Sequence, residues 1–244
     1  VSSQISGPVD ISWAPFLLDP TVPPEGRSQP PRQADGDPLS PVEARAEAAR
    51  ALRTNITFMS PDRPFRTVLV TSSAPSEGKT TVACSIAIAM AQSGLRVCIV
   101  DCDLRRPRLH RVFGRVGEQG VTSVLVGEAT VDDVAKPAKA GMRGGEIPNL
   151  SCIPAGSPPP NPADLLHSER FKKFLADLQL KFDRVVIDSP PLAAVTDSAI
   201  VSTLVDTTIF VVCVLAAPEG IERMAQSGLD LHVVTASVDS HLND

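Results

Sequence analysis

The chain of 244 residues contains no tyrosine and a single tryptophan, and aromatic residues make up only 4% of it. It also lacks a long hydrophobic run. The apolar stretch at residues 209–217 is far shorter than the roughly 18–20 apolar residues that a membrane-spanning helix needs. No basic and apolar leader opens the sequence. We therefore expect a chain that does not cross a membrane itself and stays in the cytoplasm.

Cysteine usage and net charge exclude two further classes of protein. The five cysteines are odd in number and show no Cys-x-x-Cys spacing, which predicts a reduced compartment and no zinc knuckle. The formal net charge of −5 disfavours a general binder of nucleic acid, since such proteins are basic. We therefore expect no nucleic-acid partner.

The composition changes near residue 42. Residues 1–42 are rich in proline, serine, glycine and aspartate and have no regular hydrophobic period, which predicts a disordered linker. From Pro41 to about Phe58 the residues are good helix formers, and a helix is expected there. One domain is predicted over residues 43–244, with a divergent or truncated segment from about residue 213.

Short apolar runs and helical stretches alternate after this helix. Strands are predicted at residues 67–71, 97–100, 150–153, 185–187 and 209–215, and helices at residues 80–93 and 163–180. Asn161 is expected to cap the second of these helices, with Pro162 in its first turn. This order predicts a three-layer α/β domain with a mostly parallel sheet.

A phosphate-binding loop is predicted between the first of these strands and the helix that follows it. The sequence matches the Gly-x4-Gly-Lys-Ser/Thr motif except that Ser73 replaces the first glycine. In such a loop the backbone N–H groups and the helix dipole attract phosphates, the lysine reaches the β- and γ-phosphates, and the hydroxyl binds Mg²⁺. A chance tripeptide in a helix cap is the alternative, and the position between strand and helix argues against it. We expect ATP and Mg²⁺ to bind here, with these contact residues: Ser73, Ala74, Pro75, Ser76, Glu77, Gly78, Lys79, Thr80 and Thr81.

Aspartates follow two further apolar runs. Asp101 and Asp103 end the strand predicted at residues 97–100, and Asp188 ends the one at residues 185–187. Ligands bind at the carboxyl ends of parallel strands, so the three carboxylates are expected to converge on a metal held at Thr80. Hard oxygen ligands favour Mg²⁺ over zinc. Each aspartate taken singly could instead be an ordinary turn residue.

Longer segments resemble a known family. Residues 99–110 read Ile-Val-Asp-Cys-Asp-Leu-Arg-Arg-Pro-Arg-Leu-His, and residues 183–191 read Asp-Arg-Val-Val-Ile-Asp-Ser-Pro-Pro. These are similar to the second Walker motif and the Walker B motif of the bacterial tyrosine kinases (BY-kinases) that govern capsule and exopolysaccharide assembly. Residues 47–55, 120–127 and 156–166 resemble further segments of that family, and the resemblance covers roughly residues 43–212. It implies a P-loop NTPase fold of the deviant Walker type, which MinD-like ATPases share.

The resemblance also implies roles for particular residues. Lys79 and Thr80 would bind the phosphates and Mg²⁺, with Asp101 and Asp188 as further metal ligands. Asp101 and Asp103 are the candidates for orienting or deprotonating a tyrosine hydroxyl, so the implied catalytic residues are Asp101, Asp103 and Lys79. In the family's ExxRxxR helix, Glu47, Arg50 and Arg53 would form contacts between subunits of a ring. An internal ion pair between Glu47 and Arg50 is the alternative explanation of that spacing.

An arginine cluster follows the second Walker motif. Its members could hold nucleotide, an acidic partner or a neighbouring subunit, or could form a solvated basic face. The cluster comprises Arg105, Arg106, Arg108, Arg111 and Arg115.

The resemblance implies an ATP-dependent protein tyrosine kinase that regulates polymerisation and export of capsular or exopolysaccharide. It would work at the inner face of the plasma membrane with a membrane-bound polysaccharide co-polymerase or activator, which is either a separate protein or a missing membrane-spanning portion of this one. Because the sequence has no tyrosine and departs from the family pattern after Val212, the expected substrate is a tyrosine-containing protein in trans. Two alternatives remain open, a MinD-like ATPase switch and a non-catalytic nucleotide-binding scaffold of the export machinery.

Overall fold

The computed structural model describes residues 41–58, 65–115, 117–141 and 144–211. The chain divides into two compact units, one of Val1–Phe58 with Val214–Asp244 and one of Met59–Cys213. The predicted linker and the divergent segment from residue 213 lie outside the described residues, apart from the first residues of the helix. The domain boundary near residue 42 therefore stays a prediction.

The described part of the first unit is helix α1 (Pro41–Phe58), as the sequence predicted. Its buried side chains recur at the spacing of one helix face, at Ala48, Ala49, Leu52 and Ile56. Its exposed side chains include Glu47 and Arg50.

The second unit is built on a sheet whose strands are β1 (Thr67–Ser72), β2 (Val97–Asp101), β3 (Lys136–Lys139), β4 (Glu146–Ile153), β5 (Arg184–Asp188) and β6 (Thr207–Val211). Their order is β3-β4-β2-β5-β1-β6. All neighbouring pairs are parallel except β3 with β4. Because β5 lies between β1 and β2, the loops that leave these three strands meet at one edge of the sheet.

The helices of the second unit are α2 (Lys79–Gln92), α3 (Leu109–Val112), α4 (Val121–Val126), α5 (Val131–Val134), α6 (Pro162–His167), α7 (Glu169–Lys181) and α8 (Asp197–Ser202). All six residues of β1 are buried, as expected for a strand that is covered on both faces. One face packs into a core with α4 to α7, through alternate strand residues such as Leu69 and Val185. Helix α2 contacts β1, β2, β4 and β5. The mostly parallel, three-layer α/β prediction is therefore confirmed.

Three sequence predictions about the elements need correction. The single helix expected at residues 163–180 is two helices, because Ser168 adopts an extended backbone and its hydroxyl accepts a hydrogen bond from the Phe171 N–H (3.2 Å). The side chain of Asn161 makes no cap hydrogen bond, although Pro162 does lie in the first turn of α6. The last strand begins earlier than predicted, at Thr207, and residues 212–215 lie outside the described residues.

One strand of the sheet was not predicted at all. Strand β3 has the sequence Lys-Pro-Ala-Lys, which lacks the apolar alternation that marks a strand. It pairs antiparallel with β4 at the edge of the sheet, where a proline is tolerated. β4 itself is longer than predicted and begins at Glu146.

Candidate functional site

The predicted phosphate loop connects β1 to α2. Residues 73–78 form the turn, and Lys79, Thr80 and Thr81 form the first turn of α2, where backbone N–H groups have no partner within the helix. The loop contains two left-handed residues, Ser76 with φ of 68° and Gly78 with φ of 86°. Such a conformation is strained for serine and is a feature of anion-binding backbone turns. These backbone features match those expected of a phosphate-binding loop.

Side chains and backbone groups around the loop hold it in place. The Ala74 N–H donates to the Glu77 carboxylate (2.8 Å), and the Ser72 hydroxyl donates to the Ala74 carbonyl (2.9 Å). The Ala193 N–H, beyond β5, donates to the Ser73 carbonyl (3.2 Å). Glu77 is thus a residue that shapes the loop, a role that the motif alone does not reveal.

Lys79 lies next to the segment that resembles the second Walker motif. Its Nζ lies 3.3 Å from Oδ2 of Asp103, and the two side chains are only 11% and 6% exposed. The other oxygen of Asp103, Oδ1, accepts the Arg106 N–H (2.9 Å). The structure therefore brings together a lysine and an aspartate that are 24 positions apart in sequence, at the carboxyl edge of the sheet.

Thr80 and Asp188 form the second contact of the site. The Thr80 hydroxyl donates to Oδ2 of Asp188 (2.7 Å), while Oδ1 of Asp188 is buried and has no hydrogen-bond partner among the described residues. Burial raises the pKa of Asp188, and the charge of Lys79 and the Thr80 hydroxyl act in the opposite direction. A buried carboxylate oxygen without a partner is costly, so it points to a cation or a water at this position.

Asp101 lies beside Asp188 on the neighbouring strand, but its oxygens are already used. Oδ2 accepts the N–H groups of Arg108 and Leu109, both at 3.0 Å, and Oδ1 accepts the Asp103 N–H (3.2 Å). Burial, followed by the charge of Asp188, raises the pKa of Asp101. Asp101 therefore fixes the loop between β2 and α3.

The predicted convergence of the three carboxylates on a metal held at Thr80, with Asp101 and Asp188 as ligands, stays a prediction. In the ranges that the structure describes, no three histidine, cysteine, aspartate or glutamate side chains are grouped so as to hold a metal ion. Asp103 pairs with Lys79, and Asp101 is bound by backbone N–H groups. The residues that fit Mg²⁺ are Thr80 and Asp188, whose hydroxyl and unpartnered oxygen are hard ligands of the kind that magnesium takes together with waters and phosphates.

Sequence reasoning missed an ion pair between a buried aspartate and a partly exposed arginine next to this site. The Arg105 guanidinium donates to both oxygens of Asp197, at 2.9 and 3.1 Å. Asp197 is fully buried at the start of α8, and Arg105 is 41% exposed. The pair joins the loop after β2 to the helix after β5. An aspartate at a helix start gave no indication of a partner so distant in sequence.

The ExxRxxR residues lie on α1, outside this site. Arg50 donates to Glu47 within the helix at 2.6 and 3.0 Å, and both side chains are largely exposed. This is the ion pair within the helix that was the alternative to contacts between subunits. Arg53 lies one turn further along the same helix.

The described cysteines, Cys84, Cys98, Cys102 and Cys152, are buried and free. Burial raises the pKa of each of these thiols. None of the helices in the described ranges has the length and apolarity required to cross a membrane.

Comparison with known proteins gives a consistent family. Residues 68–212 match the CobQ/CobB/MinD/ParA nucleotide binding domain family. The chain is 34% identical over 172 residues to tyrosine-protein kinase YwqD of Bacillus subtilis, which covers 70% of each protein. It is 37% identical over 172 residues to tyrosine-protein kinase wzc of Salmonella typhimurium, which covers 70% of this chain and 23% of that relative.

A solved structure of a tyrosine kinase domain is also similar to this chain. The kinase domain of the Escherichia coli tyrosine kinase ETK superimposes with a TM-score of 0.65 and 30% sequence identity, over 82% of this chain and 78% of that one.

Proposed function

The chain belongs to the bacterial tyrosine kinases, within the CobQ/CobB/MinD/ParA nucleotide-binding family, and on that basis we propose that it transfers the γ-phosphoryl group of ATP to tyrosine hydroxyls. We propose that it regulates the polymerisation and export of capsular polysaccharide or exopolysaccharide. The observation that carries the proposed chemistry is the approach of Asp103 to Lys79, within 3.3 Å at the phosphate loop.

The phosphate loop supports binding of ATP. The free N–H groups of the first turn of α2 would receive the phosphates, with Lys79 balancing their charge. Thr80 and Asp188 would hold Mg²⁺, which when bound neutralises charge on the β- and γ-phosphates. Glu77 keeps the loop in shape through the Ala74 N–H.

Asp103 is the better candidate for the catalytic base. In the transfer, the tyrosine oxygen forms a bond to the γ-phosphorus, the bond from that phosphorus to the β,γ-bridging oxygen breaks, and ADP leaves. The hydroxyl proton passes to the base. Asp101 accepts three backbone N–H groups, whereas Asp103 accepts one and otherwise faces Lys79. Asp103 therefore has an oxygen that can take a proton, and Asp101 holds the loop that presents it.

The family and the composition support a proposal for the acceptor and the partners. Because these 244 residues contain no tyrosine, we propose a tyrosine-containing protein in trans as the substrate. We propose a membrane-bound polysaccharide co-polymerase or activator as partner, at the cytoplasmic face of the membrane. A homo-oligomeric ring with contacts through Glu47, Arg50 and Arg53 is the proposed assembly.

Incubation with γ-labelled ATP and a tyrosine-bearing partner tests the proposal. We expect label on tyrosine of the partner and little free phosphate. Labelled phosphate released without labelled protein would favour the ATPase alternative, and bound ATP with neither product would favour the scaffold. Asp103→Asn serves as the matched inactive control.

A further inference from the structure

The arginines that follow the second Walker motif separate into two groups. Arg105 is tied to Asp197, and Arg115 is buried against Glu118. The side chains of the other three have neither an ion pair nor a hydrogen bond among the described residues, and all three residues are exposed. We call them the arginine surface: Arg106, Arg108 and Arg111.

The backbone fixes the arginine surface next to the reacting groups. The Arg106 N–H donates to Oδ1 of Asp103, and the Arg108 N–H donates to Oδ2 of Asp101. The Arg111 N–H in turn donates to the Arg108 carbonyl (3.0 Å). The three arginines therefore lie on a backbone segment that is hydrogen-bonded to Asp101 and Asp103. A substrate polypeptide that places its tyrosine at Asp103 would pass close to these arginines.

The charge of this surface contrasts with the rest of the chain. The whole chain carries a formal net charge of −5, whereas these three cations lie within six residues and are not neutralised by a described acidic side chain. Unpaired guanidinium groups on a surface favour carboxylates, which they bind with fork geometry. They also accelerate encounter with an acidic partner.

We propose that Arg106, Arg108 and Arg111 form a docking surface for the acidic residues that flank the target tyrosine, so that this kinase prefers tyrosines in acidic segments. The inference rests on the proposed kinase function and specifies its substrate class. Of the five arginines in the cluster, Arg105 and Arg115 form ion pairs within the fold. The other three are therefore the ones available to a partner.

Two peptides test the preference. One carries a tyrosine flanked by glutamates, and the other has glutamines in place of the glutamates. The full chain phosphorylates each peptide with labelled ATP in the presence of the membrane activator. In a second arm, anisotropy measures binding of fluorescent versions that carry phenylalanine in place of tyrosine, with Mg-ADP present.

We expect kcat/KM and the affinity to favour the glutamate peptide by on the order of tenfold, since three exposed charge pairs each contribute modestly. The preference should shrink as KCl is added, because salt screens exposed charges. In R106Q/R108Q/R111Q the ratio between the two peptides should approach one, while ATP affinity is retained.

The control variant K139Q/K172Q/K173Q removes the same charge from exposed positions on β3 and α7, and it should keep the preference. Equal binding of both peptides to the unmodified chain would overturn the proposal, and so would a preference that survives in the arginine variant. Loss of ATP affinity in that variant would assign the arginines to the nucleotide instead. If no tyrosine is labelled but the binding preference persists, the kinase function fails and the docking surface stands.

Discussion

Lys79 and Asp103 are each largely covered by the fold and lie 3.3 Å apart. A substitution at an exposed loop residue ordinarily costs little stability. With only 11% of its side chain exposed, Lys79 also compensates a buried carboxylate. Lys79 thus has two expected roles, in the stability of the fold and in ATP binding, and separate measurements can distinguish them.

Lys79→Met should abolish ATP binding and lower the free energy of unfolding by about 1–3 kcal/mol, because Asp103 loses its charge partner. The double variant K79M/D103N should recover most of the stability without recovering ATP binding. Calorimetric ATP titration and urea unfolding measure the two quantities. Unchanged ATP affinity in K79M would contradict the phosphate-loop assignment, and unchanged stability would show that the ion pair contributes nothing.

Asp103→Asn keeps the shape of the side chain and its hydrogen bond from the Arg106 N–H, but removes the proton acceptor. We expect Mg-ATP to stay bound and phosphoryl transfer to fall by about 10²–10⁴-fold. Single-turnover transfer to a tyrosine-bearing partner, with bound ATP measured separately, checks this. Normal transfer per bound ATP would exclude Asp103 as the base.

At the scale of elements, one ion pair connects the loop after β2 to α8. Arg105→Ala leaves the fully buried Asp197 without its two hydrogen bonds, so we expect a loss of about 1–3 kcal/mol in stability. The double variant R105A/D197A should lose less than the sum of the two single variants, because the single variants remove the same contact. Thermal unfolding of the four proteins measures the coupling, and strictly additive losses would refute it.

A second pair fixes the starts of β2 and β5. Asp183 accepts the Arg96 backbone N–H (2.9 Å) and pairs with its guanidinium (2.8 Å), and these contacts lower the pKa of Asp183 to about 2. A carboxyl with a depressed pKa in the folded state stabilises the fold above its unfolded pKa of about 3.9, and this contribution is lost as the pH falls toward 2.

The stability difference between wild type and Asp183→Asn should therefore be constant from pH 7 to 5 and should narrow below pH 4. Urea unfolding of both proteins at several pH values measures the difference. A gap that stays the same at pH 3 would show that Asp183 is not ionised preferentially in the folded state.

The sequence predicted the elements whose own residues show a local pattern. It did not predict the features that depend on contacts with residues distant in sequence. The phosphate loop was predicted because residues 73–81 contain the motif except for its first glycine. The Arg105–Asp197 pair joins residues 92 positions apart, and β3 is held by pairing with β4, so neither could be predicted from its neighbourhood. Asp101 was predicted as a site residue, but its hydrogen bonds from the Arg108 and Leu109 N–H groups depend on how the following loop folds back.

At the scale of the whole molecule, α1 presents the residues proposed for assembly. The Glu47–Arg50 pair is solvent-exposed and within one helix, so it contributes only about 0.2–0.5 kcal/mol to that helix. Alanine is the best helix former, and its introduction there should leave α1 intact. A change of molecular mass on substitution would therefore report contacts between copies of the chain.

E47A/R50A/R53A should shift the protein toward monomer in light scattering across a range of protein concentrations, and added salt should shift wild type in the same direction because it screens ion pairs between subunits. The control T54A/T57A removes two hydroxyls that only bond to carbonyls of α1, at Arg50 and Arg53, and should keep the wild-type mass. Identical masses for wild type and the triple variant at every concentration would leave the internal Glu47–Arg50 pair as the whole explanation of the motif. A wild type that is monomeric at every concentration would lead to the same conclusion. The ring would then have to form through another surface or with the membrane partner present.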